Sequence, residues 1–182
     1  MNYIWLRRYT KLLVAVTFLL IIAGGLVTST QSGLSVPDWP LSYGEWMPPM
    51  VGGIRYEHTH RMIASFVGLM TFVLALWLVF SEKRKWVRWL GITAFGAVVA
   101  QGILGGLTVL YLLPAPISIV HACLAQTFFA LVVSLSFLIS DGGTAEKPVP
   151  ARTGTADAGS NASMVLMMVA LVYLQLILGA TF

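Results

Sequence analysis

The stretch that decides the fold is YEHTHRMIASFVGLMTFVLALWLVF, Tyr56 to Phe80. Its second part, Ile63 to Phe80, carries no charge. Its first part packs one acid, two histidines and an arginine into seven residues. An uncharged run of this length reads as a membrane span, because roughly 20 apolar residues cross about 30 Å of hydrocarbon. The run can reach full length only by extending backward into the ionisable residues. That places costly side chains at the lip of a span, where ionisable groups are functional candidates by default.

Working outward, four further apolar stretches emerge: Leu12–Val27, Trp89–Leu110, Ile117–Ile139 and Met164–Phe182. The chain has 182 residues, of which 58% are hydrophobic and only 10% charged. Soluble domains average about 25% charged residues, so an ordinary soluble domain is excluded. The expected fold is an all-α membrane protein, a four-helix transmembrane bundle plus a fifth transmembrane helix. The first stretch exceeds the about 7–15 residues of a signal-peptide core and reads as a retained helix. The single cysteine, Cys123, cannot form an internal disulfide. The net charge of +4 is small and is better read by position than as a nucleic-acid signal.

Nine of the eleven basic residues fall on one side of this topology. They are Arg7, Arg8 and Lys11, then Lys83, Arg84, Lys85 and Arg88, then Lys147 and Arg152. Only Arg55 and Arg61 lie on the other side. The positive-inside rule then puts the N-terminus in the cytoplasm. The expected units are residues 1–140 as the bundle, with a long outside loop at 31–55. A linker rich in Gly, Thr, Ala and Pro follows at 141–162, and then the fifth helix at 163–182. The outside loop contains SGLSVPDWPLSYGEWMPPMVGG, whose prolines prevent a long helix. It is expected to lie over the outer mouth of the bundle.

A short repeat links the halves of the bundle. Ile22–Thr28 reads IAGGLVT and Ile103–Val109 reads ILGGLTV, with LILGAT at 176–181. Each precedes the outer end of an outward-running helix. The next inward-running helix opens with a histidine, His60 in one case and His121 in the other. The glycine pairs read as sites of close helix packing.

At about 100° per residue, Glu57 and His60 share a helix face, and Glu57 and Arg61 are spaced for an ion pair. His58 points nearly opposite to His60, which argues against a zinc site built from the two. His121 is the better partner for His60, at similar depth in another inward-running helix. A porphyrin iron fits between two histidines on neighbouring helices. Against this, a histidine near a membrane boundary can simply bond a carbonyl or water. Glu57 is either a carboxylate acting one turn from an iron ligand or an N-terminal acid paired with Arg61. Arg55 and Arg61 suit haem propionates or lipid phosphates equally well. Trp5, Trp77, Trp86 and Trp89 fit interfacial anchors, and Gln101, Gln126 and Gln175 fit interhelical hydrogen bonds.

GGLVTSTQSGLSVPDWPLSYGEWMPP, followed by YEHTHRM, resembles the haem A synthase family of cytochrome oxidase assembly proteins. IVHACLAQ and LVYLQLILGATF resemble its second histidine helix and fifth helix. The resemblance implies oxidation of the C8 methyl of haem O to the formyl of haem A. It implies Glu57 as the essential acid, His60 and His121 as iron ligands, and a haem, either haem O as substrate or haem b. It implies the bacterial inner (plasma) membrane, with the haem site toward the outer side. The implied partners are haem O, the bilayer, a second copy of the chain, and haem O synthase or oxidase assembly proteins, with no nucleic acid. Many bacterial members carry two loop cysteines where this chain has Ser35 and Ser42, so no loop disulfide is expected. Full-length members have two four-helix halves, so Phe182 ends either a half-size form or a cut one. Two other functions share the histidine pair: an electron-transfer cytochrome b and a non-catalytic haem carrier.

Overall fold

A computed structural model describes residues 3–140 and 157–179. The helices are α1 (Tyr3–Ser29), α2 (Ile54–Ser81), α3 (Lys85–Leu110), α4 (Ala115–Ile139) and α5 (Asp157–Gly179). The first four are each long and apolar enough to span a membrane. The apolar part described in α5 is Leu166–Gly179. As expected, α2 extends back through the ionisable motif. Helix α1 also extends back, so Arg7, Arg8 and Lys11 are helical. The long loop ends at Gly53, and Arg55 belongs to the first turn of α2. Residues 157–162, expected in the linker, are helical. The rest of that linker, and residues 180–182, lie outside the described residues.

The helices form a ring in which α1 packs on α2, α2 on α3, α3 on α4 and α4 on α1. Helices α2 and α4 therefore face each other across the bundle. They are not the neighbours assumed from the sequence. The short connection after α3 makes α3 and α4 adjacent, and closure of the ring then leaves α2 and α4 on a diagonal. Helix α5 packs on α4 from outside, with Thr127 Oγ1 2.5 Å from the Tyr173 hydroxyl.

The close-packed core occupies the half of the ring away from the long loop, the inner half in the orientation expected from the basic residues. Each helix supplies a stripe at three- and four-residue spacing, the period of one helix face. The stripes are Leu6, Thr10, Leu13 and Thr17 on α1 and Val67, Met70, Thr71, Leu74 and Leu78 on α2. Val87, Gly91 and Ala94 come from α3, and Phe128, Val132, Leu135 and Ile139 from α4. Trp77 packs on Tyr9 at 5.8 Å, so it belongs to this core, whereas Trp5, Trp86 and Trp89 are exposed. The inner ends are tied by cations on helix C-terminal carbonyls. Arg7 Nε donates to Ile139 O at 3.2 Å, and Arg84 Nη2 donates to Leu138 O at 3.0 Å. Such carbonyls have no partner within their own helix.

The outer half packs differently. Among the described residues, none at 18–29, 59–66, 95–105 or 115–127 is fully buried. His60 and His121 lie in this half, and the long loop sits at its end.

Candidate haem site at the loop end of the bundle

Residues Ser32 to Gly53 fold into an ordered strap. Ser42 and Glu45 exchange two backbone hydrogen bonds of 3.1 Å around a tight turn at Tyr43 and Gly44. Both turn residues have positive φ, 56° and 72°, which the glycine adopts without strain. The Asp38 carboxylate accepts from Tyr43 N at 2.7 Å and Gly44 N at 2.8 Å. These backbone bonds, Gly44's foremost, hold the Asp38 carboxyl below its ordinary range. The Tyr43 hydroxyl closes the strap by donating to Ser35 O at 2.7 Å.

The first turns of α2 grip that strap. Glu57 is 3% exposed, yet both of its oxygens have partners. Oε2 accepts from Val36 N at 2.8 Å, and Oε1 meets Arg61 Nη2 at 2.5 Å. Arg61 also donates to Asp38 O at 2.7 Å, Leu41 O at 2.9 Å and Val36 O at 3.2 Å. A planar guanidinium with five donors suits this task, since one side chain gathers three carbonyls and a carboxylate. His58 Nδ1 lies 2.8 Å from Ser42 Oγ. Three of the four ionisable groups in YEHTHRM thus bind the loop. The sequence shows the Glu57–Arg61 spacing, but not the loop carbonyls or Ser42. Those contacts are long-range and depend on how the loop folds back.

His60 is the fourth group, and it turns away from the strap toward α1. A methyl built on Gly24 would stand 3.1 Å from His60 Cε1. His121 is placed in the same way against α3. A methyl built on Gly105 would stand 3.5 Å from His121 Cε1. His60 is six residues past the start of α2, and His121 is six past the start of α4. At 1.5 Å per residue both lie about 9 Å inside their helix starts. Both carry a buried Nδ1 without a hydrogen-bond partner. Buried polar atoms are nearly always satisfied, so these two nitrogens, like the equally unpartnered His58 Nε2 and Ser118 Oγ, are places where a ligand could supply the missing partner. Gln101 Nε2 secures the His121 turn by donating to its backbone carbonyl at 2.8 Å. Among the described residues no group of three or more metal-binding side chains occurs. A porphyrin supplies four ring nitrogens to its iron, so one or two axial side chains suffice and two histidines could hold one.

The loop reaches this region too. The Trp39 ring lies against Gly106, where a methyl would stand 2.8 Å from Cδ2. Nothing in the sequence pointed to that contact. Arg55 sits apart, its guanidinium 4.7 Å from the Tyr56 ring centre. With Ala23, Leu26, Tyr56 and Thr59 it lines a groove of about 230 Å³ between α1 and α2.

The cytochrome oxidase assembly protein family, COX15-CtaA, matches residues 7–52 and 54–182. The chain belongs to this family. Among curated members, the heme A synthase of an Exiguobacterium species is 30% identical over 138 residues. That match covers 74% of this chain and 46% of the relative. The heme A synthase of Exiguobacterium sibiricum is 33% identical, covering 75% and 48%. That of Roseobacter denitrificans is 34% identical, covering 67% and 35%. The chain thus spans about half the length of the curated relatives it matches, or less. No solved structure matches.

Proposed function

We propose that this chain is a membrane oxidoreductase of the haem A synthase kind, oxidising the C8 methyl of haem O toward the formyl of haem A. The observation that carries the reading is the histidine pair. His60 and His121 each lie six residues inside the start of α2 and α4, helices that face each other across the bundle, and each carries a buried Nδ1 without a hydrogen-bond partner.

A bound haem would bring the redox-active iron, whose potential its axial ligands tune. His60 and His121 would hold the iron from opposite sides of the bundle. Glu57, one turn from His60, is the catalytic candidate. Its carboxylate has about four acceptor positions, so its two bonds leave capacity to orient a water or stabilise positive charge at the methyl. Arg61 holds Glu57 in place through their ion pair. The strap closes the outer mouth against bulk water, which strengthens every electrostatic interaction beneath it. Arg55 is the better candidate for a propionate, since the Nη groups of Arg61 are taken by the loop and Glu57. The loop would face outward from the plasma membrane and the N-terminus would lie in the cytoplasm, as the basic residues indicate.

The test is to express the chain with a supply of haem O and identify the extracted haem by mass. Haem A or a hydroxylated haem O is expected, and neither in a Glu57→Ala variant. Unchanged haem O or haem b in the wild type would refute catalysis by this chain. It would leave the electron-transfer or carrier reading that the same histidines permit.

A further inference from the structure

We infer that Gly24 and Gly105 are positioning residues, each a seat that fixes one histidine from the adjoining helix. The proposal rests on the haem reading above. Gly24 and Gly105 occupy the same place in the repeat, the first glycine of IAGG and of ILGG. Each faces the histidine of the following helix, and a methyl added to either would meet the same ring atom first, Cε1. The sequence repeat is therefore also a contact repeat: glycine on the outward helix, imidazole on the inward one. The second glycines do not share this contact. Gly106 takes Trp39 instead, and nothing comes within 4 Å of a methyl on Gly25.

The physical reason is space. The His60 ring lies so close to the α1 backbone that α1 has no room for a side chain there, and the α3–α4 pair repeats the placement more loosely. Backbone on one side then limits the rotamers of each ring. Holding both rings at fixed height and tilt is what two ligands from opposite helices need to reach one flat group. The two seats differ in tightness. The Gly24 spacing of 3.1 Å is closer than ordinary contact, whereas the 3.5 Å at Gly105 is ordinary. Alanine at Gly105 is accommodated, and any larger side chain at Gly24 pushes His60 aside.

The experiment compares Gly24→Val with Gly25→Val, adjacent glycines changed identically in the 182-residue chain. Electron paramagnetic resonance and optical spectra of the bound haem report the ligands. Gly24→Val is expected to lose the two-histidine low-spin signal and to weaken haem binding about tenfold or more, the scale seen when support of a metal ligand is removed. Gly25→Val is expected to keep both. Thermal denaturation of the haem-free chain supplies a second readout. Gly24→Val should destabilise the wild type but add little in a His60→Ala background, because the ring it collides with is gone. Equal effects of the two valines, or additive effects of Gly24→Val and His60→Ala, would overturn the seat. If no variant binds haem, wild type included, the haem reading fails. The denaturation cycle still decides whether Gly24 positions His60.

Discussion

Glu57 and Arg61 show how one pair of side chains can serve both architecture and chemistry. Glu57 is almost fully buried and Arg61 is 15% exposed, so their ion pair is not a surface contact. Removing one partner of such a pair leaves an uncompensated charge, which costs about 3–5 kcal/mol. Arg61→Ala is therefore expected to destabilise the chain by about that much. It should also make residues 36–41 open to protease, since three of their carbonyls lose their donor. Limited proteolysis beside a thermal melt checks both effects. Glu57→Gln separates the two roles of the acid. The amide oxygen can still accept from Val36 N, so the loop should stay more protease-resistant than in Glu57→Ala. The charge is gone, so oxidised haem should be lost in both variants. Oxidised haem persisting in Glu57→Gln would make Glu57 a clamp alone. Ser42→Ala is a milder case. It removes the partner of His58 Nδ1 and should cost about 1–3 kcal/mol as a buried polar atom goes unsatisfied.

At the scale of elements, the turn between α2 and α3 is held by its own charges. Arg84 Nε and Nη2 each lie 3.0 Å from a Glu82 oxygen, and Arg88 Nε donates to the Glu82 carbonyl. The Arg84 guanidinium, foremost, holds the Glu82 carboxyl below its ordinary range. A group depressed on folding stabilises in full above its unfolded value, about 4.3 for glutamate. That stabilisation is lost as pH falls through the lower folded value. Melting temperature should thus drop on acidification below about pH 4, and Glu82→Gln should flatten part of that drop. Asp38 in the strap acts in the same direction, so the remainder belongs to it. The sequence showed α2 to α4 well, because long uncharged runs bounded by charges or by the proline-containing YLLPAP leave little choice. It showed the start of α1 poorly, since Arg7, Arg8 and Lys11 look like a flank yet sit in a helix. The inner cations reach back to α4 carbonyls, and no local pattern announces that. The histidines and Glu57 stood out because ionisable groups in a span are rare. The seats at Gly24 and Gly105 were visible only as a repeat whose meaning required the fold.

The whole molecule is divided along its axis. Its inner half is close-packed by interlocking aliphatic stripes, and its outer half holds two imidazoles under a strapped loop. That division fits a protein whose stability comes from one end and whose ligand chemistry comes from the other. The proposed orientation can be checked in a Cys123→Ser background. Trp46, at the exposed tip of the loop, should react as Trp46→Cys with a membrane-impermeant thiol reagent added outside intact cells. Lys83→Cys, in the turn after α2, should be protected until the membrane is opened. The reverse pattern would turn the bundle over.

The central claim is that His60 and His121 hold one iron across the bundle. The most direct measurement is low-temperature electron paramagnetic resonance of the purified chain with ferric haem, in wild type, His60→Ala and His121→Ala. The account predicts a low-spin two-histidine signal in the wild type and its loss in each variant. The same low-spin signal in either variant, or none in a haem-loaded wild type, would contradict it.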